Sequence, residues 1–186
     1  MNSSANSGFD NKLLGLEGLR FLASFAVLLW HYQHFAFVGG QAVGFDAARQ
    51  PFYSLFWFFY TYGHFGVQLF WCISGYIFFW KYRQTVAQGF ISAREFFVLR
   101  FSRLYPLHLL TLVFVAVGQW FYWRAQGGAF VYQFNDAEHA LLQLAMAPAW
   151  GLEKGYSFNG PVWSISVEVL VYALFFLMCL GMQRHW

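Results

Sequence analysis

Arg20 and His31 are ionisable residues in one apolar run. Side chains of these types, at this spacing, could carry out chemistry inside a membrane. The run extends from Leu19 to Tyr32, and the two residues are eleven positions apart. On an α-helix, this spacing places them within roughly 20° of each other around the axis and about 16 Å apart along it. Ionisable groups at membrane depth are energetically expensive and commonly mark a functional site. We therefore predict a site that faces protein or a water-filled cavity; a snorkelling arginine and an interfacial histidine are the alternatives.

Arg100 and Arg103 form a second pair of residues that could take part in binding or catalysis. They are three positions apart, so on a helix both guanidiniums lie on the same face. Two guanidiniums with this spacing can hold a phosphate or pyrophosphate group. The alternative is ordinary positive charge that contacts anionic lipid headgroups.

Ser164, Glu168 and Tyr172 recur at every fourth position. A hydroxyl, a carboxyl and a phenol therefore share one helix face. Glu168 lies inside an apolar segment, where it could neutralise a cation, orient a histidine or transfer a proton. A structural role, in which it satisfies Arg20 or a buried amide, remains open.

The composition indicates an integral membrane protein. Hydrophobic residues make up 59% of the chain and charged residues 10%, whereas soluble domains carry roughly 25% charged residues. A formal net charge of +3 is too small to suggest nucleic acid as a partner. Cys72 and Cys179 lie in apolar runs and indicate neither a disulfide framework nor a metal site, so we expect no metal.

Helices must position these residues. We predict that they form an all-α polytopic transmembrane bundle. A polar segment at residues 1–18 precedes a membrane domain at residues 19–186. About four spans are expected, at 19–38, 65–80, 105–123 and 161–182. A signal peptide is the alternative for the first span, but this run is long and contains charged residues.

Shorter elements are expected between the spans. Ser92 and Glu95 fit a capping box, which predicts a cytoplasmic amphipathic helix from about residue 93. Pro106 should break or kink this helix before the third span. Residues 138–150 are too few to cross a membrane and predict a re-entrant or interfacial helix. Asn159 is expected to cap the last span.

Charge and small residues predict topology and packing. Five basic residues lie between residues 81 and 103, and such loops are cytoplasmic by the positive-inside rule. The N-terminus is then cytoplasmic too, and residues 39–51 and 124–137 are outside. Gln68, Cys72 and Gly75 form a stripe that should let another helix approach closely.

Four motifs in sequence order together resemble the membrane acyltransferase-3 family. They are Gly15–Arg20 with His31, Phe70–Tyr76, Arg100–Pro106, and Asn159–Glu168 followed by Tyr172. Each motif is weak alone, but together they cover about residues 13–178 and make a specific match. The chain departs from the family's phenylalanine-rich motif at Trp71-Cys72, and it has fewer spans than family members usually have. We therefore expect it to be truncated to the N-terminal part.

The resemblance implies a bacterial enzyme of the plasma (inner) membrane that acylates, often acetylates, a hydroxyl group. Acyl-coenzyme A is the implied co-substrate, used from the cytoplasmic side with no bound cofactor, and the acceptor is a carbohydrate or a lipid-linked molecule. His31 would take the acceptor proton, Arg20 would stabilise donor or oxyanion charge, and Glu168 would orient His31 or counter Arg20. Arg100 and Arg103 would hold the donor phosphates. The implied supporting residues are Ser74, Gly75, Trp163, Ser164 and Tyr172.

Two other functions remain open from the sequence. A carrier component for saccharide or lipid would line a pathway with the same intramembrane arginine, histidine and glutamate. An inactive, truncated remnant would keep the motifs without the activity. Consumption of the coenzyme A thioester would distinguish the enzyme from both.

Overall fold

The structure is a computed structural model that describes residues 4–183, with side chains described from residue 14 to residue 182. Six α-helices and one short β-hairpin occur among these residues. The helices are α1 (Ser4–His31), α2 (Tyr53–Tyr62), α3 (Gly66–Ala87), α4 (Ala93–Gln126), α5 (Ala137–Leu144) and α6 (Val162–Gln183), and the strands are β1 (Phe37–Val38) and β2 (Gln41–Ala42). The predicted all-α class is confirmed.

Three helical segments are long and apolar enough to cross a membrane: Leu14–Ala36, Ala93–Gln126 and Val162–Met182. They correspond to the first, third and fourth predicted spans, with shifted boundaries, and they indicate a multi-pass membrane protein. The second predicted span lies within α3, and α3 is not among these three candidate membrane-spanning segments. The count of four spans therefore stays a prediction.

The described residues form two compact units. One contains those of Met1–Phe35 and Phe45–Trp80, and the other contains those of Ala36–Gly44 and Lys81–Trp186. The boundary between them falls within α3. The first unit holds the helix that carries Arg20 and His31.

Small residues bring α1 close to the turn that precedes α3 in the first unit. Ala23 and Ala26 of α1 are 1% and 9% exposed. A Cβ atom built on Gly66 would lie 2.9 Å from Val27 Cγ2 and 3.3 Å from the carbonyl carbon of Ala23. Gly63 meets α1 in the same way, against Ala26. The chain can pass this close to α1 only because these positions lack side chains.

The close helix approach predicted at Gln68, Cys72 and Gly75 is wrong for the described residues. Cys72 is exposed, and a Cβ atom built on Gly75 would have no other atom within 4 Å. The glycines that do meet another helix lie at the start of α3 rather than in its middle.

Helix α4 begins and ends where local sequence rules place its termini. The Ser92 hydroxyl accepts a hydrogen bond from the Glu95 amide (3.2 Å), and the Glu95 carboxylate accepts one from the Ser92 amide (2.9 Å). This confirms the predicted capping box. The helix ends at Gln126, and the next residue, Gly127, has a φ of 70°, in the left-handed region that favours glycine.

Pro106 lies inside α4 without interrupting it, so the predicted break does not occur, and the alternative, a kink, stays a prediction. The expected amphipathic helix and third span are one helix of 34 residues. The side chains around the proline are anchored to α5. Tyr105 Oη donates to the Leu144 carbonyl (3.0 Å), and buried His108 Nε2 donates to the Gln143 carbonyl (2.8 Å). These contacts help to offset the backbone hydrogen bond that proline removes.

The hairpin β1–β2 is hydrogen-bonded to the segment that follows α4, and both belong to the second unit. The Gly39 amide donates to the Ala129 carbonyl (2.9 Å), and the Gly40 amide donates to the Val131 carbonyl (2.7 Å). In return, the Val131 amide donates to the Phe37 carbonyl (3.1 Å). Two segments predicted to lie outside the membrane are thus joined by main-chain hydrogen bonds.

The region between α5 and α6 differs from the expected arrangement. Helix α5 ends at Leu144, so residues 145–150 are not part of it; its predicted re-entrant or interfacial position stays untested. The Asn159 carbonyl accepts from the Val162 amide (3.0 Å). Its side-chain amide donates instead to Thr111 Oγ1 of α4 (2.8 Å), so the predicted side-chain cap is wrong.

Candidate active site

Arg20 is partly buried in the first unit. Its Nη1 donates to Glu17 Oε1 (3.1 Å), and its guanidinium carbon lies 5.0 Å from the centre of the Phe70 ring. Its Nε is buried and has no hydrogen-bond partner among the described residues. A buried donor of this kind is costly unless something accepts its hydrogen bond.

His31 is paired with a second histidine at the end of the same helix. His31 Nδ1 and His34 Nδ1 are 3.0 Å apart, so one nitrogen must donate and the other must accept. The ring of Trp30 contacts both histidines, with centroid distances of 4.9 and 5.0 Å. The ring of His64 lies on the same tryptophan, 5.7 Å away. The rings are thus held by aromatic packing, and His31 Nε2 takes no part in the pairing.

A second charged cluster, in the second unit, joins α4 to α6. The guanidinium of Arg100 lies 4.2 Å from the centre of the Tyr82 ring and 6.0 Å from that of Tyr172. The Tyr172 hydroxyl donates to Glu168 Oε1. Arg100 and Arg103 both interact electrostatically with this phenol. The structure therefore brings Arg100, Arg103, Glu168 and Tyr172 together, in agreement with their predicted faces on the two helices.

The predicted pairing of Glu168 with Arg20 or His31 would join residues of different units and stays a prediction. Within its own unit, the carboxylate that binds Arg20 is Glu17. Within the other unit, the hydroxyl that binds Glu168 is Tyr172.

The predicted supporting residues have mostly local contacts. Ser164 Oγ donates to the Pro161 carbonyl (3.0 Å), just before α6, and Trp163 is half-buried. The fully buried serine of this motif is Ser166, whose hydroxyl accepts from the Ala149 amide (3.1 Å) and donates to the Trp163 carbonyl (2.8 Å). Ser74 is half-buried and Gly75 is exposed in α3, and their supporting roles stay untested.

A cleft of about 790 Å³ lies in the second unit, between the C-terminal part of α4 and the neighbouring loops. Its walls combine aromatic rings with amide side chains and one carboxylate. The side chains that form these walls include Trp120, Trp123, Phe134, Phe158, Gln41, Gln119, Gln133, Asn135 and Asp136. This volume and this mixture are usual for small-molecule sites.

The floor of the cleft is held by side chains whose polar atoms are already paired. Gln119 binds both main-chain groups of Phe130, donating to its carbonyl and accepting from its amide. Asn135 donates to the Tyr132 carbonyl (2.7 Å) and accepts from the Phe158 amide (2.7 Å). These bridges fix the loops around the cleft.

Asp136 supports the cleft through a buried histidine. Its Oδ1 accepts from the main-chain amide (3.0 Å) and from Nδ1 (2.7 Å) of His139. These hydrogen bonds, that from the main-chain amide above all, lower the pKa of Asp136. His139 is 1% exposed, and its Nε2 accepts from the Lys154 amide (3.2 Å). Asp136 therefore presents a charged carboxylate at neutral pH.

Sequence reasoning did not predict two of these contacts or the cleft. His34 follows His31 by three positions, and that spacing could have predicted the pairing. Tyr82 belongs to another helix than Arg100 and gave no signal. The cleft is formed by residues far apart in the chain, so no local pattern indicates it.

These helices and charged clusters define a multi-pass membrane protein with ionisable groups on its membrane helices. The chain belongs to the acyltransferase-3 family, because the model of that family's acyltransferase domain matches residues 13–186. The resemblance found in the motifs is thereby confirmed.

One curated relative is the acyltransferase MdmB of Streptomyces mycarofaciens, which is 28% identical to this chain over 170 residues. The match covers 88% of this chain but only 38% of that protein. No solved structure matches the chain significantly.

Proposed function

We propose that this protein transfers an acyl group, often acetyl, from acyl-coenzyme A to a hydroxyl group of a carbohydrate or lipid-linked acceptor in the bacterial inner membrane. Membership of an acyltransferase family supports the reaction class, as does the acyltransferase name of its relative. The observation that carries the proposal on this chain is the cluster of Arg100 and Arg103 with the Glu168–Tyr172 pair.

Arg100 and Arg103 are the proposed donor site. Guanidiniums bind phosphate oxygens with paired, charge-assisted hydrogen bonds. Arg100 is half-buried against the rings of Tyr82 and Tyr172, while Arg103 is exposed. Packing on aromatic rings limits the conformations of Arg100, so it loses less entropy when it binds. A soluble donor such as coenzyme A can reach this pair at the end of a membrane helix.

His31 is the proposed general base. When His31 Nδ1 carries the hydrogen shared with His34 Nδ1, the lone pair of His31 Nε2 is left to accept a proton. It takes the proton of the acceptor hydroxyl, whose oxygen then attacks the thioester carbonyl carbon. The carbon–sulfur bond breaks, and the imidazolium returns its proton to the leaving thiolate. The histidine ends the cycle neutral, and this kind of catalysis typically contributes about 10²–10⁴-fold.

Arg20 and Glu168 have charge-stabilising roles in this proposal. Arg20 lies about 16 Å from His31 along α1, so it is the proposed contact for the negative charge of the donor rather than for the oxyanion. Glu168, bonded to Tyr172, balances the positive charge of Arg100 and Arg103.

The proposed orientation places both the N-terminus and the arginine pair in the cytoplasm, because five basic residues lie between residues 81 and 103. In this orientation α4 runs outward. Arg100 and Trp120 are then about 30 Å apart along its axis, which is about the thickness of the hydrocarbon core.

Donor binding and thioester consumption by the full chain in nanodiscs test the proposal. We expect the double variant Arg100→Ala/Arg103→Ala to bind acetyl-coenzyme A about tenfold or more weakly, because charge-assisted hydrogen bonds to phosphate are lost. The matched control is Arg94→Ala, an exposed arginine of the same helix that lies on another face. Equal donor affinity in the wild type, the double variant and Arg94→Ala would indicate that Arg100 and Arg103 contact lipid headgroups and do not bind the donor. Absence of thioester consumption by the wild-type chain, with acceptor present, would favour a carrier or a remnant.

A further inference from the structure

We propose that the cleft between α4 and the neighbouring loops is the acceptor subsite and that it selects a neutral saccharide. This inference rests on the proposed acyltransferase function, which leaves the position of the acceptor open. The cleft lies entirely within the second unit and is formed by residues outside the four family-like motifs; Phe158 immediately precedes the last of them.

Two tryptophans supply flat apolar walls. Trp120 and Trp123 are one helical turn apart on α4, so they share a face, and they are 51% and 61% exposed. The apolar face of a sugar ring can pack on an indole ring, which removes apolar surface of both from water. Arg124, whose guanidinium lies 5.0 Å from the centre of the Trp120 ring, supports the first of these walls.

Exposed amides supply hydrogen bonds for hydroxyl groups. The side chains of Gln41 and Gln133 are exposed in the cleft and make no hydrogen bond to the other described residues. An amide both donates and accepts, which matches the alternating donors and acceptors of sugar hydroxyls. Gln119 and Asn135 are already paired, so they fix the shape of the cleft and leave recognition to the two free amides.

The charge of the cleft argues for a neutral ligand. Asp136 is the charged residue among the described residues that line it, and its hydrogen bonds to His139 keep it ionised at neutral pH. The neighbouring cations Arg124 and Lys154 are already in contact with Trp120 and Glu138. A uronic acid or a phosphorylated sugar would bring a second negative charge close to this carboxylate, and like charges at short range repel. A neutral sugar would instead donate hydroxyl hydrogen bonds to the carboxylate oxygen that His139 does not use.

Backbone strain at the rim also points to a built site. Phe158, which lines the cleft, has a φ of 33°, a value that residues other than glycine rarely adopt. Such strain persists only where the surroundings hold it, and it occurs preferentially at functional sites. Here the holding contact is the hydrogen bond from the Phe158 amide to the side chain of Asn135.

Saturation-transfer NMR on the full chain in nanodiscs tests this subsite with methyl glycosides of glucose, galactose, mannose and N-acetylglucosamine. Methyl glucuronide, the anionic counterpart of methyl glucoside, tests the selection against charge. We expect at least one neutral glycoside to bind, and Trp120→Ala and Trp123→Ala to weaken it by about tenfold or more, since an apolar wall is lost. The matched control is Trp57→Ala, a half-exposed tryptophan of α2, which should bind like the wild type.

Gln133→Ala serves as a second variant if a tryptophan variant fails to fold, because this exposed side chain has no hydrogen-bond partner among the described residues to lose; it should also weaken binding. The proposal is overturned if no neutral glycoside binds, if methyl glucuronide binds more tightly than methyl glucoside, or if Trp57→Ala weakens binding as much as Trp120→Ala. The last result would make these tryptophans interfacial anchors.

Thioester consumption separates this proposal from the proposed function. Acetyl-coenzyme A turnover without glycoside binding would reject the subsite and keep the enzyme. Glycoside binding without turnover would keep the cleft as a saccharide site and reject the enzyme.

Discussion

Replacing Gly63 by alanine should disturb the helix that carries Arg20 and His31. Gly63 has helical backbone angles, φ −60° and ψ −23°, so alanine fits the backbone without strain. Its Cβ atom, however, would lie 2.9 Å from both the carbonyl carbon of Ala26 and Cβ of Trp30. Ordinary carbon contacts are about 3.5–4.0 Å, so α1 and this turn must separate by roughly 0.5–1 Å. Overpacking of this kind costs about 1–3 kcal/mol.

The matched control is Gly118→Ala in α4, where an added Cβ atom meets nothing within 4 Å. There alanine should stabilise the helix by about 0.5–1 kcal/mol. The two variants should therefore differ by about 1.5–4 kcal/mol in free energy of unfolding, or about 3–16 °C in melting temperature for a chain of this size. Thermal unfolding of both proteins in the same detergent measures this difference. If Gly63→Ala melts at or above the temperature of Gly118→Ala, the close approach is refuted.

Three further outcomes are expected. The pKa of Asp136 is lowered in the folded protein, so its stabilising bonds to His139 are present above about pH 4, the ordinary aspartate range, and are lost as the pH falls through its folded pKa. The hydrogen-exchange protection factors of residues 137–154 should fall below that pH, and Asp136→Asn should remove most of this dependence. Glu168→Gln keeps an acceptor for Tyr172 but removes the charge, so thioester turnover should fall about tenfold or more with the melting temperature nearly unchanged; equal turnover would make Glu168 structural. Cysteines placed at 85–92 in a cysteine-free background should react only with membrane-permeant reagents, and labelling from outside would contradict the proposed orientation.

Features governed by local rules could be predicted from the sequence. Hydropathy located three helices that are long enough to cross a membrane. The Ser92–Glu95 capping box fixed the start of α4 because both of its hydrogen bonds join residues three positions apart. The shared face of Glu168 and Tyr172 followed from helical periodicity.

Features that depend on distant residues could not be predicted in this way. The side chain of Asn159 binds Thr111, 48 positions away, so a local capping rule gave the wrong partner. Pro106 stays inside α4, where its neighbours Tyr105 and His108 are bound to α5. Periodicity placed the close helix contact at Gly75, whereas Gly63 meets α1 instead. Each outcome was decided by tertiary contacts that sequence spacing does not contain.

The most direct test of the central claim compares acyl transfer by the wild-type chain and by His31→Gln, with acetyl-coenzyme A affinity measured on the same samples. Glutamine keeps hydrogen bonding but is not a useful base, so the proposed mechanism predicts unchanged donor affinity and a loss of turnover of about 10²-fold or more. Transfer by His31→Gln at close to the wild-type rate would show that His31 is not the proton acceptor and would contradict the mechanism.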